Sequence, residues 1–416
     1  MIYLDYNATT PLGVAAWRAM QPYFERHFGN PSSVHRAGRE TRAAIDDARD
    51  RLAALLRVKP HEIIFTSGGT EANNLALLGL ARRLAPNGKH LISNRAEHHA
   101  VLHTLEHLEK MEGFAVTWLD VSGDGLLDPD ALEQAIRPDT TLVSIMTANN
   151  ETGVIQPMAE ISARCRKHGV LLHSDMVQSF GKLAVIPSAV EGSRGATAKV
   201  PSRDPSTRLR SARDDLLVDA ASFGAHKFYG PKGAGFLYLR AGLAIDRIQF
   251  GGAHEGERRP GTENVPAIVG MAAAAEEIWR DLPNEQAREA KLRDELWRGI
   301  ARIFPEAQPN GAGAPRLANT LNVSFPGFSS ETLLMALDLE GVCASSGSAC
   351  MVGSVVASHV LRAMAMPPER ASSAVRFSLG TGTAAGEIAQ TIATLERILD
   401  RPRSPANPYR AEHALA

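Results

Sequence analysis

Cysteine is scarce in this 416-residue chain: Cys165, Cys343 and Cys350 are the only three, and no two of them form a Cys-x-x-Cys pair. That excludes a disulfide framework and a four-cysteine metal site, and it fits a reducing compartment. An excess of one charge is lacking too. Lys plus Arg number 45 against 46 Asp plus Glu, with neither sign gathered into a block. The electrostatic footprint of a nucleic-acid or anionic-membrane binder is therefore missing, and a small molecule or another protein is the expected partner. No apolar run approaches the roughly 20 residues that span a bilayer. The opening Met1-Ile2-Tyr3-Leu4-Asp5-Tyr6-Asn7 has neither the charged nor the long apolar stretch of a signal peptide. A cytoplasmic protein without a metal is expected.

The length exceeds the usual single-domain range, so two domains are expected. Over residues 38–57, Ile45, Ala48, Leu52, Leu55 and Leu56 recur at helical spacing with Arg and Asp on the other face, which predicts an amphipathic helix. Short apolar runs then alternate with helical stretches up to residue 173. That alternation reads as βαβ units on a largely parallel sheet, an α/β fold whose ligands sit at the carboxyl ends of the strands. Beyond Thr262 a long Ala/Glu/Arg-rich helical stretch runs to about Phe304. Strand-like segments at 321–325 and 375–379 follow, with a helix near 331–339, which suggests a smaller α+β domain hinged near 262. Residues 187–215 fit neither texture. They lack aromatics and periodicity and are crowded with Ser, Pro, Ala, Arg and Gly, so they read as a disordered surface insertion, with a functional lid as the alternative.

Four segments can carry chemistry. Thr66-Ser67-Gly68-Gly69-Thr70 follows a strand and opens a helix, which suits either an anion cradle or a tight turn with an N-cap. Asp175 ends a strand, with Gln178 three residues on; it is a buried carboxylate that needs a cationic partner, or a turn cap. Lys227, between an apolar strand and Gly230-Pro231, could be an amine freed to form a Schiff base, or a solvated turn lysine. Cys350 closes a small-residue loop, Ser345-Ser346-Gly347-Ser348-Ala349, that leaves it unencumbered, as a nucleophile requires. Cys165, within a helix, and Cys343, beside a strand, suit apolar filler.

Taken in order, these segments resemble the cysteine desulfurases, the NifS/IscS-like branch of the pyridoxal-phosphate (PLP) enzymes of aminotransferase class V. The resemblance also rests on Tyr3-Leu4-Asp5-Tyr6-Asn7-Ala8-Thr9-Thr10-Pro11, Gly29-Asn30-Pro31-Ser32-Ser33 and Glu97-His98-His99-Ala100. It continues through Asn149-Asn150-Glu151-Thr152-Gly153, Arg259-Pro260-Gly261-Thr262-Glu263-Asn264 and Arg376-Phe377-Ser378-Leu379-Gly380. It implies the type I fold of PLP-dependent transferases. Residues 13–261 would form the large cofactor-binding domain, and 1–12 with 262–416 the small domain carrying the cysteine loop. Lys227 would hold PLP covalently and His98 would stack on its ring. Asp175 would pair with the ring nitrogen, while Gln178 and Asn150 would sit near the ring hydroxyl and the substrate. Gly69, Thr70 and His226 would hold the phosphate, Thr262 would reach into the partner's site across a homodimer interface, and Arg376 would clamp the substrate carboxylate. Cys350 would take the sulfur of L-cysteine as a persulfide, leaving alanine, for delivery to an acceptor such as an iron–sulfur scaffold protein. Departures from the family are Gly224 where a serine is usual, Met176-Val177, Met351-Val352 and the 187–215 segment. The rival readings are another PLP lyase or aminotransferase of this fold, for instance a selenocysteine lyase, and a non-catalytic sulfur-assembly scaffold.

Overall fold

The computed structural model describes residues 1–183, 216–346 and 358–400. The expected insertion at 187–215 and the loop around Cys350 lie outside these residues. After the short strand β1 (Ile2–Tyr3) come β2 (Ile63–Thr66), β3 (His90–Asn94), β4 (Ala115–Leu119), β5 (Thr140–Ser144), β6 (Leu171–Asp175), β7 (Ala220–Gly224) and β8 (Gly235–Leu239). They build a seven-stranded sheet in the order β2-β8-β7-β6-β5-β3-β4. Every neighbouring pair is parallel except those made by β8, which runs against both β2 and β7. The α/β class with a mainly parallel sheet is thus as the sequence suggested. Strands β2, β3, β5, β7 and β8 are buried along their whole length, and β6 from Leu172 onward, as a sheet covered on both faces requires.

Helices cover the sheet because one face of each is apolar. The Arg36–Leu56 helix buries Thr41, Ile45, Ala48, Leu52 and Leu56, is capped by His35 Nδ1 accepting from the Gly38 amide, and stops at Arg57 in the left-handed region. Under the turn that follows β7, Phe223 stacks on Phe236 at 4.2 Å, and Phe180 meets Phe228 edge-on at 4.8 Å and Trp279 at 4.6 Å. Each such pair contributes about 1 kcal/mol beyond burial, so the backbone at 225–228 rests on a rigid floor.

A second unit follows. Strands β9 (Gln308–Pro309), β10 (Thr320–Ser324) and β12 (Ala374–Ser378) form an antiparallel sheet, while β11 (Val342–Cys343) pairs in parallel with β1. The long helical stretch after 262 is two helices, Val265–Arg280 and Leu282–Ile303, broken at Asp281 with Pro283 in the first turn of the second. The first packs Val265, Ile268, Met271 and Ala275 into the core beneath the main sheet. The second packs Leu292, Leu296 and Ile300 with Ile2, Leu4, Val323, Val375 and Phe377. The amino-terminal segment thus shares the second core and then crosses to the main sheet, which brings Asn7 between the two.

Candidate active site

A cavity of about 400 Å³ opens at the carboxyl ends of β2, β3, β5, β6 and β7, where a doubly wound sheet offers ligand sites. Gly69, Thr70, His98, Asn150, Asp175, Gln178, His226, Lys227 and Arg376 all line it. Thr262 does not; it is exposed, outside this cavity. Cys350 lies outside the described residues.

Strand β6 ends in Asp175, whose Oδ1 accepts the Val177 amide at 2.9 Å and whose Oδ2 accepts Asn73 Nδ2 at 2.7 Å. The carboxylate is thereby aimed and still has lone pairs for a cation. His98 caps the His99–Glu112 helix, its Nδ1 accepting the Ala100 amide at 3.1 Å. Burial lowers its pKa, so the ring is neutral and carries its proton on Nε2. Behind the site, His173 bridges Ser144 and Ser222 on the flanking strands, and burial pushes its pKa down to about 3, leaving an uncharged cross-strand tie.

Lys227 follows β7 in a single 3₁₀ turn, Ala225–Lys227. Its Nζ donates to the carbonyls of Asn7 at 2.7 Å and Ala8 at 2.6 Å. Next to it, His226 Nδ1 meets Thr9 Oγ1 at 3.1 Å, and burial, then the charge of Lys227, holds its pKa down to about 4. Gly69 begins the Gly69–Leu84 helix, whose first amides lie at the helix's positive end, where an anion would be favoured. The glycine is required, since a Cβ there would lie 2.5 Å from Val177 Cγ2.

On the opposite wall, Arg376 is 2% exposed. It donates from Nη2 to Asp5 Oδ1 at 2.6 Å and from Nη1 to the Asn150 carbonyl at 3.0 Å. Its backbone forms a two-bond bridge with Ser345, at the root of the segment leading to Cys350. Glu151, also in the wall, is buried, accepts from Ser358 Oγ, and has its pKa pushed up to about 7 by burial.

These residues fit PLP. A helix N-terminus, a buried carboxylate suited to a protonated ring nitrogen, an imidazole, a primary amine and a guanidinium converge on one cavity. Asn73, in the cavity wall, has its buried Oδ1 without a partner among the described residues, an acceptor a ligand could meet. Sequence reasoning missed Asn73, although it lies three and four residues after Thr70 and Gly69, on the same face of one helix. Asn7, Glu151, His99 and His359 also line the cavity unforeseen; the first three sit inside motifs already singled out. The thiols differ from one another. Cys165 is buried and pushed up to about 12, as filler should be, whereas Cys343 is only half-buried, its pKa raised chiefly by burial. Among the described residues no group of three or more His, Cys, Asp or Glu could hold a metal ion, and no helix is long and apolar enough to cross a membrane.

Residues 2–191 and 211–390 match the family described as aminotransferase class V, which leaves 192–210 between the matched stretches. A relative named cysteine desulfurase IscS, from Dictyoglomus turgidum, is 43% identical over 411 residues, 99% of this chain and 97% of that one. A solved NifS-like protein superposes with a TM-score of 0.83 at 34% identity, covering 96% of this chain and 99% of its own. SspA, solved in complex with cysteine, has a TM-score of 0.76 at 32% identity, over 91% and 99%.

Proposed function

The chain belongs to aminotransferase class V and, within it, to the cysteine desulfurases, which turn L-cysteine into L-alanine and place its sulfur on an enzyme cysteine; on that premise we propose what its own residues do. The observation that carries the assignment is the convergence of Lys227, Asp175, His98, His226 and Arg376 on one cavity. PLP, on which this family depends, supplies an electron sink for the carbon skeleton of the substrate. Lys227 would hold it covalently, and its amine would move the α-proton of the substrate. Asp175 would keep the ring nitrogen protonated, and His98 would cover one face of the ring. The Gly69 amide, Thr70 and His226 take the phosphate, with Thr262 contributed by the second copy of a homodimer. Gln178 and Asn150 address the ring hydroxyl and the substrate.

L-cysteine enters with its carboxylate toward Arg376, whose planar guanidinium suits two parallel hydrogen bonds. Asp5 holds that guanidinium in place beforehand. The thiolate of Cys350 attacks the substrate sulfur: the new S–S bond forms as the carbon–sulfur bond breaks. The electron pair of the broken bond stays on the skeleton, whose β-carbon takes up one proton, matching the one the Cys350 thiol gave up, so that it leaves as alanine. The persulfide is then offered to an acceptor protein such as an iron–sulfur scaffold. The test is mass spectrometry after incubation with L-cysteine. Wild type, Cys165→Ser and Cys343→Ser should gain sulfur on the Cys350 peptide, whereas Cys350→Ser should gain none and Lys227→Ala should make no alanine. Alanine formed at the wild-type rate by Cys350→Ser would favour an ordinary PLP lyase instead.

A further inference from the structure

A second cavity, of about 490 Å³, has both Lys227 and Lys182 in its lining. Lys182 sits four residues after Gln178. Its Nζ donates to Gln178 Oε1 at 2.6 Å and to Asn7 Oδ1 at 2.9 Å. Gln178 Nε2 donates in turn to the Asn7 carbonyl at 2.9 Å, the same oxygen that receives Lys227 Nζ at 2.7 Å. Two amines are therefore joined through one asparagine. Asn7 is pinned further by Asn319 Nδ2 on Oδ1 at 3.1 Å and by its own Nδ2 on Thr320 Oγ1 at 2.9 Å.

For stability alone this is a poor place for an amine. The oxygens that receive it belong to amides rather than carboxylates, and burial, with the charge of Lys227, pushes its pKa down to about 7. Its consequence for Gln178 is specific. With Oε1 held from behind by Lys182, the amide must turn Nε2 toward Asn7 and the cofactor cavity. One N–H goes to the Asn7 carbonyl, and the other is left for a ligand acceptor.

We propose that Lys182 is a positioning residue, which locks the Gln178 amide and the Asn7 carbonyl and so fixes how Gln178 and the Lys227 amine meet the cofactor. This rests on the cofactor roles given above to Gln178 and Lys227. Lys182 itself touches neither substrate nor cofactor; it acts through Asn7 and Gln178.

The experiment is a double-mutant cycle read as the dissociation constant of PLP for the cofactor-free dimer, with urea unfolding run alongside. Lys182→Met keeps the length of the stem but donates nothing. It should weaken PLP binding about tenfold, the size of one freed charge-assisted hydrogen bond, while its urea midpoint stays at or above that of wild type. Added to Gln178→Ala, the same change should cost less than about twofold, because the residue it orients is gone. Lys182→Arg, which restores charge and donors, should recover most of the affinity. If Lys182→Met does not fold, Lys182→Ala, which likewise donates nothing, carries the same cycle with and without Gln178→Ala. Wild-type affinity in Lys182→Met, or full and independent losses from the two substitutions, would overturn the proposal. Lys227→Ala separates the two levels. Were it still to form alanine, the reading of the site would fall. Were it inactive while Lys182 and Gln178 acted independently, only the positioning role would fall.

Discussion

Replacing Glu151 by glutamine should stabilise the protein at alkaline pH and leave it nearly unchanged at acid pH. The carboxyl is 1% exposed. Burial raises its pKa from 4.5 to about 7, against the smaller opposing pull of the Ser358 hydroxyl and of Arg376. A carboxyl whose folded pKa lies above its unfolded one binds its proton more tightly when folded. Its contribution is fully present below pH 4.5 and is lost as the pH rises through 7. The interval between 4.5 and about 7 corresponds to roughly 3 kcal/mol at about 1.4 kcal/mol for each pH unit. Glutamine keeps the shape and an oxygen for Ser358, and it never ionises. Relative to wild type, Glu151→Gln should therefore be within about 1 kcal/mol at pH 5 and roughly 2–3 kcal/mol more stable at pH 8. Urea unfolding of the cofactor-free protein at pH 5, 6.5 and 8 measures this without involving PLP. A variant less stable than wild type at pH 8, or one offset equally at both ends, would mean that Arg376 holds Glu151 ionised. Burial would then not be the dominant effect.

Two glycines give further tests. Gly235→Ala should cost roughly 2–3 kcal/mol and loosen PLP, because its Cβ would lie 2.4 Å from the Phe223 carbonyl and 2.6 Å from Gly68 Cα, backbone that cannot give way. Urea unfolding and PLP titration read both effects, and a stable, fully loaded variant would refute the close approach. Gly224→Ser should fold normally, since φ −133° and ψ 116° suit any residue, and should tighten PLP binding about threefold by adding a hydroxyl beside the Gly69 amide, 3.3 Å from the new Cβ. Weaker binding would show that Val177, at 3.5 Å from that Cβ, crowds the hydroxyl out.

Much of this architecture was legible in the sequence because buried parallel strands must be apolar throughout and the helices over them must be two-faced. The run at 63–65 and the alternation at 45–56 are both found at those places in the fold. Strand β8 was not foreseen. Gly235 at its head reads as part of the preceding turn, and nothing in a five-residue apolar run fixes its direction. The break at Asp281 was hidden because no glycine separates the flanking helices, and only Pro283 marks the second start. At the site, residues whose chemistry is unusual for their surroundings, such as Asp175 and Lys227, stood out. Asn73, Glu151 and Lys182 did not, because their parts depend on neighbours up to about two hundred residues away: Asp175, Ser358 and Asn7.

The backbone bridge between Ser345 and Arg376 sets a leash. Five residues lead from Ser345 to Cys350, and a fully extended chain spans at most about 3.5 Å per residue, so the Cα of Cys350 lies no farther than roughly 17 Å from the bridge. Eight residues on the other side, at Ser358, a second tether is tied down through Glu151. The origin of that radius is the residue proposed to hold the substrate carboxylate, so pick-up and delivery are measured from one fixed point. If Cys350 carries the sulfur as proposed, an acceptor protein would have to bring its receiving atom within reach of that radius.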